Sequence, residues 1–195
     1  QSRLNGLSNS SSNLGLNRAQ FMFFAETLYA ESSGGFGESL GIVNVLENRS
    51  TNEGNSIMDQ LSDKSPYGVY GVRKTSKGIN SDYKYSYMNE MGKPGTAQKR
   101  NNVHRAIAVG LTTSTDVTNG AMFWDGKDFN GANKVRGGYN KRYLPGYLFS
   151  NSSHDIWGQG SNKVNGTYKF ISTGAIGNTT FSKYYNQGKK WSTIK

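Results

Sequence analysis

The chain has 195 residues, enough for one domain with a hydrophobic core. Its formal net charge of +10 favours an anionic partner such as nucleic acid, a membrane surface or an anionic wall polymer. The absence of cysteine excludes disulfides and thiolate chemistry, and two histidines argue against a multi-histidine metal site. No apolar run is long enough to cross a bilayer. We therefore expect no metal, no cofactor and no membrane span.

The first residues predict a flexible tail followed by a domain. Residues 1–16 are dominated by Asn, Ser and Gly, which is typical of a linker. No second boundary or internal repeat follows, so residues 17–195 predict a single domain. Asn17 is a good N-cap for a first helix running from Arg18 to Ser32. A second helix begins near Phe36, and its wide apolar surface indicates burial on most sides.

The rest of the chain predicts one further helix, long loops and two strands. Residues 62–95 carry tyrosines among Gly, Lys and Ser and predict loops, with a hairpin as one option. Apolar residues at helical spacing predict a helix from Thr96 to Leu111. Residues 130–166 show no clear period and predict mostly loop. Two strand-like runs, Thr167–Ser172 and Thr179–Ser182, lie near the end of the chain.

One carboxylate stands where the helical pattern predicts core. Four residues of the first helix, three and four positions apart, share one face: Phe21, Phe24, Leu28 and Glu31. The Ser-Ser-Gly-Gly sequence that follows ends the helix. Burial would disfavour the charged form of Glu31 and raise its pKa, as general acid catalysis requires. The alternative is that Glu31 reaches solvent at the frayed helix end, or pairs with a lysine or arginine.

Three stretches together resemble one family, the SleB-like cell wall hydrolases of the spore cortex-lytic type. The first is Leu-Tyr-Ala-Glu, Leu28–Glu31, followed by a Gly-rich entry to the next helix and a closing Asn48–Arg49. The second is Asp-Val-Thr-Asn-Gly-Ala-Met-Phe-Trp, Asp116–Trp124. The third is Ile-Gly-Asn-Thr-Thr-Phe, Ile176–Phe181. Their order and spacing are those of the family.

The resemblance implies both a fold and a reaction. The implied fold is α+β and mainly helical, a lysozyme-like or lytic transglycosylase-like domain with a small β element and long loops. The implied reaction cleaves the peptidoglycan backbone between N-acetylmuramic acid and N-acetylglucosamine. Glu31 takes the place of the family's catalytic Glu. The chain departs from the family at Val117, which replaces a Pro, and at Thr179, which replaces a His whose role is therefore open.

The two reaction outcomes need different numbers of carboxylates. In a lytic transglycosylase, the acid that protonates the leaving oxygen then acts as base on a hydroxyl of the same sugar, so one Glu suffices. A hydrolase needs a second carboxylate, for which the candidates are Glu26, Glu38, Asp116, Asp125 and Asp128. Sugar rings stack on aromatic faces and bond to polar groups. The predicted substrate-binding residues are Tyr29, Glu38, Tyr67, Tyr70, Trp124, Asp125 and Tyr139.

The sequence also leaves other functions open. A non-catalytic peptidoglycan-binding module would keep the fold without the chemistry. A basic nucleic-acid-binding protein would use the positive charge, but the chain has no aromatic-basic motif, and we expect peptidoglycan rather than nucleic acid as partner. We expect a monomer that is secreted or delivered to the periplasm or cell wall, as a wall-remodelling enzyme, a phage lysin or an antibacterial toxin. A toxin would have an immunity or inhibitor protein that plugs the cleft.

Overall fold

The computed structural model describes residues 14–62, 93–126, 146–161, 163 and 165–185, and the backbone of 74–75 and 78–79. The chain divides into two compact units, Gln1–Thr115 and Asp116–Lys195. Most of the predicted linker, residues 1–16, lies outside the described residues. A single catalytic domain over residues 17–195 stays a prediction.

The described part of the first unit is built mainly from helices. These are α1 (Arg18–Glu31), α2 (Phe36–Glu53), the single turn α3 (Ile57–Gln60) and α4 (Thr96–Gly110). Two short strands, β1 (Lys74–Thr75) and β2 (Gly78–Ile79), pair antiparallel between α3 and α4. α1 and α4 begin and end within one residue of the predicted positions. α2 begins at the predicted Phe36 and runs to Glu53. No helix among the described residues is both long enough and apolar enough to span a membrane.

Local signals explain where the helices begin and end. Asn17 starts α1 through a capping box, because its side-chain oxygen accepts from the Gln20 backbone N–H while Gln20 Oε1 accepts from the Asn17 N–H, both at 2.9 Å. Gly54 ends α2 in the left-handed conformation, at φ 66°. Each signal depends on residues within a few positions of the helix end, which is why the sequence shows it.

The core of the first unit lies where α4 packs against α1 and α2. Phe24 and Leu28 of α1 and Val43 of α2 are buried, as are Val103, Ala106 and Ile107 of α4. Gly110 permits the close approach of α4 to α2, because a Cβ built on it would overlap Val43 Cγ1. The apolar pattern of α4 therefore faces the helical core, as its spacing predicts.

The second unit is organised by a four-stranded sheet. Its strands are β3 (Phe123–Asp125), β4 (Tyr147–Leu148), β5 (Phe170–Ile176) and β6 (Thr179–Tyr184), in the order β3-β6-β5-β4. β6 pairs antiparallel with both β3 and β5, while β4 pairs parallel with β5. A 3-10 helix, Ser152–His154, precedes β5. The rings of Phe123, Phe170 and Tyr184 contact one another at 5.0 to 5.5 Å between centroids.

The predicted fold class, a mainly helical, lysozyme-like domain with a small β element, is wrong. The described chain is a mixed α/β structure in which the second unit is built on the sheet. Two of its strands are only two and three residues long, too short to show a period in the sequence. β5 continues to Ile176, beyond the predicted end at Ser172, because a register shift between Ser172 and Gly174 keeps the strand paired.

Candidate active site

Glu31 lies at the boundary between the helical core and solvent. It is the last residue of α1 and is half-buried. The helix ends there because Ser32 adopts an extended conformation, at φ −111° and ψ 155°, while its N–H still donates to Leu28 O at 3.0 Å. The three apolar residues that share the predicted face with Glu31 are buried: Phe21, Phe24 and Leu28. The pattern thus places a carboxylate at the edge of the core.

Hydrogen bonds hold the turn that follows Glu31. Ser39 Oγ, on α2, donates to Ser32 Oγ at 3.1 Å, and both side chains are buried. The Ser33 backbone N–H donates to Glu38 Oε2 at 3.1 Å, and the Ser33 hydroxyl donates to the same oxygen. These bonds join the end of α1 to the first turn of α2, so the backbone next to Glu31 has a defined position.

Helix α4 holds the next residue of the same turn. Asn102 Nδ2 donates to Gly34 O at 2.9 Å. Gly34 has φ +102°, a conformation that side chains rarely adopt, and a Cβ there would lie 2.5 Å from Lys99 Cγ. The Lys99 ammonium in turn lies 4.0 Å from the centroid of the Tyr29 ring. We call this turn, residues 32–35 with its contacts from α2 and α4, the Glu31 corner.

Two predicted substrate-binding residues belong to the Glu31 corner. Glu38 is 3% exposed and lies in the first turn of α2, where the helix dipole favours a negative charge and Gly35 supplies no side-chain cap. Tyr29 is 2% exposed and lies under the Lys99 ammonium. Their observed contacts build the corner, and binding of substrate by either residue stays a prediction.

The other predicted site residues that the structure describes lie on β3 of the second unit. Trp124 is half-buried and is paired with Phe181 of β6. Asp125 is 6% exposed and is paired with Thr180. Strand pairing therefore brings together the second and third stretches of the family resemblance, which are far apart in the sequence. Tyr67, Tyr70, Tyr139 and Asp128 lie outside the described residues.

Asp116, a candidate second carboxylate at the start of the second stretch, holds a turn. Its Oδ1 accepts from the Thr118 backbone N–H at 2.8 Å and its Oδ2 accepts from the Gly120 N–H at 2.6 Å. A side chain that accepts from backbone groups two and four residues further on closes an Asx-type turn. The carboxylate thereby positions the chain that enters β3.

A polar cluster that the sequence pattern does not predict surrounds His154. The imidazole Nδ1 lies 2.9 Å from Ser172 Oγ and 3.3 Å from Ser150 Oγ, and Thr180 Oγ1 donates to the His154 backbone oxygen at 3.0 Å. Burial lowers the pKa of His154, so the ring is mainly neutral at pH 7. The sequence contains a signal for the 3-10 helix, because the Asn151 side chain caps it. It contains none for the contact of His154 with Ser172 of β5, since the two residues are 18 positions apart.

His104 of α4 gives the first unit a dependence on pH. Its ring packs edge-on against Phe21, with the centroids 5.3 Å apart. Burial, and secondly the charge of Arg100, lower the pKa of His104 below 6.5. The folded state therefore binds protons less readily than the unfolded state. We expect the free energy of unfolding to be unaffected by His104 above pH 6.5, and to fall as the pH drops from 6.5 through the lowered pKa.

Replacement of His104 by phenylalanine tests this expectation, because it keeps a ring against Phe21 and removes the titration. Urea unfolding of wild type and His104→Phe should be compared at pH 7.5 and pH 5. We expect the variant to lose less stability than wild type between the two pH values. His154→Gln is the comparison variant, and we expect it to change the loss of stability less than His104→Phe, because His154 is the less buried of the two histidines. Equal losses of stability between pH 7.5 and pH 5 in wild type and His104→Phe would contradict the assignment of this pH dependence to His104.

The described residues contain no cluster of three or more His, Asp or Glu side chains that could hold a metal ion.

Comparison with known proteins finds no relative of this chain. The chain matches no family model, no curated protein and no solved structure. The resemblance to SleB-like hydrolases is therefore carried by its three short stretches.

Proposed function

We propose that the protein is a peptidoglycan-degrading glycosidase that cleaves between N-acetylmuramic acid and N-acetylglucosamine, as a lytic transglycosylase with Glu31 as general acid and base. The observation that carries the proposal is the Glu31 corner. A half-buried carboxylate ends α1, and hydrogen bonds with Ser39, Glu38 and Asn102 hold the three residues that follow it. Catalytic groups need such support, because small displacements are costly in rate.

One carboxyl group can perform the whole reaction. Glu31 first gives its proton to the glycosidic oxygen as the bond to the anomeric carbon of N-acetylmuramic acid breaks. The resulting carboxylate then takes a proton from a hydroxyl of the same sugar, whose oxygen forms the new bond to the anomeric carbon. The products are an anhydro-muramyl end and a free N-acetylglucosamine hydroxyl, and Glu31 regains its proton. No water is consumed, so no second carboxylate is required.

Two further observations support the proposal. The second and third stretches of the resemblance form adjacent antiparallel strands, with Trp124 opposite Phe181, so the stretches belong to one structural element. The formal net charge of +10 favours association with an anionic wall. The enzyme would act in the periplasm or cell wall as a secreted protein, a phage lysin or a delivered toxin with an immunity protein as partner.

Digestion of purified peptidoglycan sacculi, followed by mass spectrometry of the released muropeptides, tests the reaction. We expect products with anhydro ends. Reducing ends would show a hydrolase that uses a second carboxylate and would contradict the transglycosylase step. Freed stem peptides would show an amidase or peptidase, and sedimentation with sacculi without any released product would show a binding module. Either of these last results would contradict the glycosidase proposal.

A further inference from the structure

Two tyrosines lie next to each other at the open end of the β5–β6 hairpin. The Tyr185 backbone N–H donates to Lys169 O at 2.9 Å, which extends the pairing one residue beyond β6. The Tyr168 and Tyr185 rings meet edge to face, with their centroids 6.3 Å apart. Tyr185 is 46% exposed, whereas Tyr168 is half-buried. The strand pairing thus holds an aromatic surface open to solvent.

Two lysines accompany this aromatic pair. Lys163 is exposed, and its ammonium lies 5.9 Å from the centroid of the Tyr168 ring. The ammonium of Lys169 lies 5.8 Å from the centroid of the Phe170 ring. We call Tyr168, Tyr185, Lys163 and Lys169 the tyrosine–lysine patch. Its charge is positive and its rings are amphipathic.

The described acids of the second unit are used elsewhere. Asp116 and Asp155 each accept from two backbone N–H groups of their own turns: Thr118 and Gly120 for Asp116, Gln159 and Gly160 for Asp155. Asp125 is 6% exposed on β3. These carboxylates serve turns and the sheet interior, so the patch is suited to a ligand that brings its own negative charge.

We propose that the tyrosine–lysine patch binds the glycan strand of peptidoglycan and retains the enzyme on the insoluble wall. A pyranose ring presents an apolar C–H face that packs on a tyrosine ring. The stem-peptide carboxylates of the strand are the anions that the lysines would meet. The inference rests on the proposed function, because it takes its ligand from the substrate of that reaction, and it adds a binding site to the catalytic one.

The composition of the patch favours a glycan over a nucleic acid. Binding to nucleic acid is dominated by many contacts from Lys and Arg to phosphates, which make it strongly dependent on salt. The patch contains two lysines and no arginine. It pairs these two lysines with two tyrosine rings, which suits a ligand made of sugar rings with widely spaced carboxylates. Retention on DNA is therefore the competing outcome of the test.

The test measures sedimentation of the protein with purified sacculi, from which secondary wall polymers have been removed. The Glu31→Gln form is used as parent, so that the wall stays intact if Glu31 is catalytic. Replacing both tyrosines, Tyr168→Ala with Tyr185→Ala, should raise the dissociation constant about tenfold. Ile156→Ala is the matched control, because Ile156 is an exposed apolar residue of the same unit, 36% exposed.

The lysine contribution has its own conservative control. Lys163→Glu should weaken binding to sacculi several-fold, about as expected for one charge contact, whereas Lys163→Arg should retain binding. Thermal unfolding of each variant checks the fold. If the double tyrosine variant unfolds, Tyr185→Ala alone decides the question, since its side chain is the exposed one, and it should raise the dissociation constant about threefold.

The proposal fails if folded tyrosine variants bind sacculi as tightly as the parent, or if the replacements weaken retention on DNA and leave binding to sacculi unchanged. The proposed function fails separately, if Glu31→Gln still cleaves peptidoglycan. In the Glu31-containing protein, the double tyrosine variant should cleave soluble glycan fragments normally and insoluble sacculi slowly. Equal losses on soluble and insoluble substrates would also overturn a retaining role.

Discussion

Glu31→Gln should reduce the release of muropeptides from sacculi by about 10²- to 10⁴-fold, the range expected for loss of a general acid. The amide keeps the shape of the side chain but cannot give a proton to the leaving oxygen or accept one afterwards. The hydrogen bonds that hold residues 32–34 are made with the side chains of Ser39, Glu38 and Asn102, all of which the variant keeps. The variant should therefore remain folded.

Glu53→Gln is the matched control for this experiment. Glu53 is the last residue of α2 and is exposed, so its replacement makes the same change of charge at a site outside the corner. We expect this variant to release muropeptides from sacculi at the wild-type rate. Initial rates and thermal unfolding should be measured for both. A Glu31→Gln protein that clears sacculi at the wild-type rate would show that another residue is the catalytic acid.

Gly110→Val should lower the free energy of unfolding by about 1 to 3 kcal/mol, the usual cost of forcing extra atoms into a packed core. The new side chain would start at a Cβ that already overlaps Val43 Cγ1, so α4 must move away from α2. Because α4 carries both Asn102 and Lys99, the same movement should loosen the Glu31 corner. We therefore expect reduced activity below the temperature of unfolding.

Ala108→Val is the control for the loss of stability. Ala108 is a half-buried residue on the same helix, so the replacement introduces a β-branched side chain at a less confined position. Its helix-propensity cost is below about 0.7 kcal/mol. Urea unfolding at pH 7.5 should separate the two variants. Equal stabilities would show that the contact between Gly110 and Val43 is not tightly packed in solution.

The sequence predicts the first unit well because its signals are local. Asn17 caps α1, Ser56 caps α3 and Gly54 ends α2, each through atoms a few residues away. The apolar spacing of α4 likewise predicts which of its faces is buried. Such signals give the bounds of helices but not how the helices are arranged. The approach of α4 to α2 depends on Gly110, whose role appears only in the packed structure.

The second unit is predicted poorly because its order comes from strand pairing. β3 and β4 are too short for a period, and they become strands because β6 and β5 pair with them. The same limit applies to the candidate site. Glu31 at the end of a helix is readable from its spacing, whereas the hydrogen bond from Asn102 to Gly34 joins residues 68 positions apart and has no signature in the sequence.

That hydrogen bond has a consequence for when the proposed active site would form during synthesis of the chain. Asn102 lies on α4, far along the chain from Gly34. A nascent chain that has been synthesised only as far as α3 therefore contains Glu31 but lacks the hydrogen bond from Asn102 to Gly34. Closing so large a loop comes after the local helices have formed. In the proposed enzyme, activity would therefore arise only after α4 has docked on α1 and α2.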